Sequence, residues 1–173
     1  MEPNNELRRL AFLHSLNILD TPIEEPYERI TRILCRVLDV PMAAVSLVDE
    51  QRQWFKSAQG TSIIEMNRQD SFCSHTILKK AIMTVPDARM DDKFKQIKLV
   101  QDDPHVVFYS GFPIEIADGI NIGALCVFDT KLREFSSQDL QFLEDVSKTA
   151  ASEMKARLFK DVYQYSGIQV ERQ

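Results

Sequence analysis

The side chains of this sequence best suited to chemistry are thiols and imidazoles. Cys73 and His75 stand at i, i+2, and an imidazole near a thiol lowers its pKa and makes it reactive. The same spacing permits two metal ligands, but a closed site needs about four. His14 and His105 lack matching spacing and Cys126 is distant in sequence, so no metal site is expected. A structural pair lining the domain interior is the favoured reading of Cys73 and His75, and redox sensing through Cys73 is the sharper alternative. A catalytic site would need a nucleophile, a base and an orienting group, and no GxSxG, HExxH or P-loop pattern is present. A phosphate would need a helix N-terminus or several cations. Arg89 is one candidate, and a surface ion pair explains it equally well.

The elements that must position these groups follow from periodicity and turn chemistry. Leu7, Leu10, Leu13 and Leu16 recur at i+3 and predict an amphipathic helix over 6–19. Thr21 with Glu24 resembles a capping box, and Pro26 sets the start of a second helix. Its apolar face is Tyr27, Ile30, Leu34, Val37 and Leu38. Residues 42–48 and 53–58 read as a hairpin turning near 49–52. A short helix is expected within 71–80, a short strand at 82–85, and a helical excursion in a long loop over 91–99. Asp118-Gly119 between two alternating runs is the strongest hairpin signal, over 112–129. Strict alternation would put Ile120, Ile122, Ala124, Cys126 and Phe128 on one face.

From Ser136 onward one long helix is predicted, capped by Ser136 or Ser137, with Asp139 in its first turn. Leu143, Val146, Ala150, Met154, Leu158, Val162 and Tyr165 follow at steps of three or four. A helix over 137–165 reaches ~43 Å, longer than a small domain, so its distal half calls for another surface. Leu143, Val146, Ala150, Met154, Leu158 and Val162 are the dimer-helix candidates, and a homodimer is the expectation. The alternative is a helix packed wholly on its own sheet. The element order predicts an α+β fold with an antiparallel sheet. Residues 1–165 form a single domain in this reading, and 166–173 a tail or the start of a linker.

Seven short motifs then occur in order: Leu19-Asp20-Thr21-Pro22, Val45-Ser46-Leu47-Val48-Asp49, Gln53-Trp54-Phe55-Lys56-Ser57, Ser71-Phe72-Cys73-Ser74-His75, Val85-Pro86-Asp87-Ala88-Arg89, Phe108-Tyr109-Ser110-Gly111, and Ile122-Gly123-Ala124-Leu125-Cys126-Val127. Together they resemble the GAF domains at the N-termini of bacterial histidine kinases and GGDEF-type diguanylate cyclases, over about residues 5–160. The resemblance implies a GAF-like central antiparallel β-sheet, with the terminal helices packed on one face and loops and short helices over a pocket on the other. It also implies dimer contact through the terminal helices and control of a linked or partner output domain. No kinase or cyclase motif is present in the chain.

On that frame the pocket candidates are Phe55, Phe72, Cys73, His75, Phe94, Tyr109, Phe112 and Cys126, an apolar lining with a few polar points. In bilin-binding relatives a cysteine directly precedes a histidine, whereas here Ser74 intervenes, so no bilin is expected. The Asn-Lys…Phe…Asp-Glu pattern of the cyclic-nucleotide-binding branch is absent. The expected function is therefore a non-catalytic sensory domain for a small molecule or redox state. A ligand-free dimerisation module is the first alternative, and a thiol-based reductase of methionine sulfoxide the second. No cofactor is required by the sequence.

Composition narrows the classes further. Hydrophobic residues make up 44% and charged residues 27% of 173, an ordinary globular balance. A net charge of -5 and the lack of a basic stripe argue against nucleic acid. Three widely spaced cysteines fit reduced thiols in the cytoplasm better than a disulfide framework. No signal peptide and no run of ~20 apolar residues are seen, so membrane insertion is not expected.

Overall fold

A computed structural model describes the backbone of residues 3–165 and the side chains of residues 4–158. Helices α1 (Pro3–Ser15) and α2 (Glu25–Val37) lead into strands β1 (Met42–Val48), β2 (Arg52–Gln59) and β3 (Glu65–Asn67). A 3-10 turn (Arg68–Asp70) and the short helix α3 (Cys73–Thr76) follow, then β4 (Met83–Val85) and α4 (Lys98–Gln101). The long hairpin β5 (Phe108–Ala117) and β6 (Ile120–Asp129) precedes α5 (Ser137–Tyr165). The strands form one antiparallel sheet in the order β3-β2-β1-β6-β5-β4. This is the α+β fold that the element order predicts.

The sheet carries a core on each face. Leu13, Tyr27, Leu34, Leu143, Ala150 and Met154 from the helices meet Val45, Leu47, Ile114 and Leu125 on one face. Phe72, Cys73, Phe94, Val100 and Val106 from the loops meet Ala44, Phe55, Tyr109 and Cys126 on the other. Strands buried on both faces explain why β1 is apolar apart from Ser46, with every residue buried.

Several expectations shift in detail. Helix α1 ends at Ser15 rather than near Leu19, and Leu7 is 67% exposed. Steps of three lose ~60° per repeat on a 3.6-residue helix, so Leu7 stands ~120° from Leu13 and leaves the buried face. Thr21 and Glu24 form no capping box. The Thr21 hydroxyl donates to Ile18 O, 2.6 Å away, and Glu24 makes no side-chain cap. On α2, Val37 is exposed at the edge of the face, and buried Thr31 takes an inward position, its Oγ1 2.7 Å from Ser57 Oγ. Only Lys98–Gln101 is α-helical in the 91–99 excursion and its continuation, while β3 and the 3-10 turn went unpredicted.

In β6 the pairing with β5 steps from Ile114↔Gly123 to Glu115↔Asn121 and skips Ile122. This bulge inverts the alternation. Ile120 and Ile122 therefore join Leu125 and Val127 on the helix face, and only Ala124, Cys126 and Phe128 face the loops. At the hairpin tip Gly119 adopts φ 69°, the left-handed geometry that the Asp-Gly pair predicts.

Helix α5 spends most of its described apolar row on its own sheet. Leu143, Ala150 and Met154 are fully buried there, and Val146 and Leu158 pack partly against the same cluster. The dimer-helix candidates Leu143, Ala150 and Met154 are thus intramolecular core. The side chain of Val162 lies outside the described ones, as do residues 166–173. Among the described residues, no helix is long and apolar enough to cross a membrane.

Candidate functional site

The loop-side face is organised around Tyr109. Its ring lies over Gly111, where a Cβ would come within 2.2 Å of the Tyr109 oxygen, so only glycine admits this packing. Phe72 stacks on Tyr109 and on Phe94, each at 4.7 Å between centroids, and Phe128 meets Phe72 and Tyr109 edge-on. Stacked and edge-on aromatic pairs stabilise by ~0.5–1.5 kcal/mol beyond their buried area. The Tyr109 hydroxyl is 2.6 Å from Thr76 Oγ1 and 3.5 Å from Cys73 Sγ.

Cys73 opens α3 and Cys126 lies on β6, yet their sulfurs are 3.6 Å apart and both residues are fully buried. The Cys73 thiol donates to Cys126 Sγ, and Cys126 in turn donates to Ala44 O at 3.6 Å. Ser46, on the strand beside Cys126, donates to Ala124 O at 3.2 Å. Burial pushes Cys126 well above the ordinary thiol range, and the neighbouring Cys73 adds to it. At Cys73 burial opposes ionisation, but the hydrogen bonds that its thiolate form would accept from Cys126, Ser46 and Tyr109 outweigh it and draw the thiol down. Burial and the two thiols together hold Tyr109 protonated. The arrangement is one shared ionisation at a dithiol.

The candidates thus separate. Phe55, Phe72, Cys73, Phe94, Tyr109 and Cys126 meet in the loop-side core. His75 is half-buried and meets the Phe94 ring edge-on at 5.0 Å. Burial, aided by Lys93, depresses its pKa. The thiol's partners are therefore a second thiol and a phenol rather than the imidazole. Phe112 packs partly against the helix-side core, contrary to its place among the pocket candidates. It lies three positions from Tyr109 on one strand, and an odd offset means opposite faces. Arg89 is occupied by Asp87, through bonds of 2.8 and 2.7 Å.

Sequence reasoning missed a cleft of about 830 Å³ whose lining includes neither Cys73 nor Cys126. It lies between the start of α1, the segment after α3, the hairpin tip and α5, and Phe112 lines it. Arg8, Arg9, Lys79, Lys80, Lys148 and Lys155 share it with Glu115, Asp118 and Glu144, a mixed but mainly basic wall. Asn121 builds one edge by donating to Ile77 O and Lys79 O, both at 2.9 Å. Its lining comes from four distant segments, so no local pattern marks it.

A six-stranded antiparallel sheet between a helical layer and a layer of loops and short helices defines the GAF class of α+β domain. The sequence profile of the GAF domain family matches residues 22–154, and the chain belongs to that family. It is 35% identical over 147 residues to a cyclic di-GMP phosphodiesterase of Pseudomonas aeruginosa, a match covering 84% of this chain and 25% of the relative. The chain thus spans about a quarter of the length of that protein. The PixJ GAF domain of Thermosynechococcus elongatus, in its blue-light absorbing form, superposes with a TM-score of 0.64 at 14% identity, over 96% of this chain and 97% of that one. A domain assigned to a two-component sensor histidine kinase protein of Sinorhizobium meliloti gives 0.63 at 14% identity, over 84% and 99%. At such identities the likeness of the two structures speaks for the fold.

Proposed function

We propose that this GAF domain is a regulatory input module of bacterial signal transduction. Its loop-side core receives a chemical signal, and α5 carries the response to an output that makes, degrades or relays a signalling molecule. The observation that carries this reading is the length of α5. It runs from Ser137 to Tyr165, and among its described side chains, which end at Leu158, the last fully buried one is Met154. The segment from Leu158 onward is where a second copy or an output domain would be met. The relative's name makes cyclic di-GMP turnover the favoured output, with a diguanylate cyclase or a histidine kinase as the wider class. Reduced, buried thiols support a cytoplasmic setting.

A regulatory rather than a catalytic role is supported by packing. The rings of Phe72 and Tyr109 fill the space beside Cys73 that a reductase substrate would need. The same filling favours a change at the thiols over a bulky ligand as the input.

Sedimentation tests the helix contact. The chain is expected to dimerise, and Leu158→Glu to raise the dissociation constant at least tenfold. Thr149→Glu, on an exposed proximal position, should leave it unchanged. A monomer at high concentration, or a dimer indifferent to Leu158→Glu, would sink the idea.

A further inference from the structure

Cys73 and Cys126 are separated by 53 positions in sequence and by 3.6 Å between sulfurs. A disulfide bond is ~2.05 Å long, so the sulfurs need to approach by roughly 1.5 Å. Cys73 heads a helix of only 4 residues, while Cys126 sits on a strand paired on both sides. The third thiol, Cys35, packs partly against the helix-side cluster, so the sheet stands between it and the pair. Oxidation therefore has one geometrically matched partner for Cys73.

We propose that Cys73 and Cys126 form a thiol–disulfide switch whose oxidant is a hydroperoxide and whose product staples the loop-side cover to the sheet. This rests on the reading of the loop-side core as the input. The Cys73 thiolate attacks a peroxide oxygen, the O–O bond breaks, and the leaving oxygen takes up the thiol's proton as water, or as an alcohol from an organic peroxide. Cys73 is then a sulfenic acid. The Cys126 sulfur attacks the Cys73 sulfur, the S–O bond breaks, and the hydroxide leaves with the Cys126 proton as water. In sum two thiols lose two electrons and two protons, and one peroxide is reduced.

The surroundings fit each step. Tyr109 Oη, 3.5 Å from Cys73 Sγ, can turn its hydrogen toward the thiolate, which makes it a positioning residue. Both sulfurs are fully buried, so the peroxide reaches them only when α3 and the preceding Phe72 move aside. Such local opening falls well short of global unfolding, and it makes the switch slow when the cover is closed. Once formed, the bond removes that opening. It also links Cys126 directly to the cover, with Leu125 and Val127 beside it on the helix face.

The test uses the full chain with Cys35→Ser, treated with hydrogen peroxide, then denatured in an alkylating agent and mapped by peptide mass. The expected product is a cross-linked Cys73–Cys126 peptide that dithiothreitol reverses, with a melting midpoint several degrees above the reduced protein. Low urea, which favours opening, should accelerate its formation. Tyr109→Phe should shift the pH profile of the oxidation rate upward rather than merely lower the yield. Cys126→Ala should divert Cys73 to higher oxides, and Cys73→Ala should leave Cys126 largely unreacted. Two thiols that stay alkylatable at a peroxide dose and urea concentration that oxidise Cys35 in the parent chain would overturn the proposal. So would oxidised Cys73 with no cross-link. If the disulfide forms while self-association and α5 hydrogen exchange stay equal in both redox states, the switch stands and the regulatory reading of α5 fails.

Discussion

Glu6 shows how much one carboxylate can hold in this domain. It accepts bonds from Arg9 at 2.9 and 2.8 Å and from Arg68 at 2.6 Å. Arg9, itself buried, donates to Val48 O at the end of β1. Arg9 lowers the Glu6 pKa most and Arg68 helps, against a cost of burial, to about 2. The folded value lies below the unfolded one, so this stabilisation is present above pH ~4.5 and is lost as pH falls toward ~2. Glu6→Gln should lower the melting midpoint at pH 7 and flatten its decline between pH 5 and 2.5. A decline as steep as that of the parent would place the acid sensitivity elsewhere. Residue pairings of this kind were barely legible in the sequence. Glu6 and Arg68 lie 62 positions apart and Cys73 and Cys126 lie 53 apart, and no local pattern encodes such distances. The opposite faces of Tyr109 and Phe112, by contrast, follow from strand parity alone.

Elements were easier to read than pairings, because a period repeats its own evidence. The α2 face, the β1 run, the Asp118-Gly119 hairpin and the start of α5 all emerge from spacing and caps. Asp139 accepts from Ser136 N and Oγ at 2.8 Å, and Ser136 Oγ accepts from Asp139 N at 3.2 Å, a reciprocal cap of the predicted kind. Periodicity failed where one residue broke the count, as at the β6 bulge, or where a strand was only 3 residues long, as in β3. It also could not say which surface an apolar stripe meets. The α5 row looks like a dimer seam, yet Leu143, Ala150 and Met154 are spent on the sheet. Burying a Leu or Met side chain fully stabilises by ~1.5–3 kcal/mol, and a cavity adds to the loss. Met154→Ala should therefore destabilise the fold by ~2–5 kcal/mol in chemical denaturation, with little effect on the dimer constant of the folded protein. A loss below ~1 kcal/mol would mean that this turn is not core.

Across the whole molecule, one polar junction ties the pieces that a signal would have to cross. Lys56 of β2, its side chain fully buried, pairs with Glu24 at 2.6 Å and donates to Thr21 Oγ1 and Pro22 O at 2.7 Å. Glu24 also accepts from Arg157 of α5 at 2.8 and 3.0 Å. Arg157 in turn donates to Leu16 O and Asn17 O at 2.9 and 3.0 Å, where the chain leaves α1. One guanidinium thereby fastens α5 to the α1–α2 connection, and through Glu24 and Lys56 to the sheet, one turn past buried Met154. Hydrogen bonds to charged groups contribute ~1.5–3 kcal/mol each at most in such partly exposed settings, enough to set where local opening of α5 begins. Arg157→Ala should raise amide hydrogen exchange over residues 155–165 at least tenfold, while residues 140–147 keep the protection of the parent. Equal exchange in both segments would show that apolar packing alone holds the helix end, and that displacement of the sheet has no polar route to the distal half of α5. Acceleration confined to the distal half would locate the coupling at this junction.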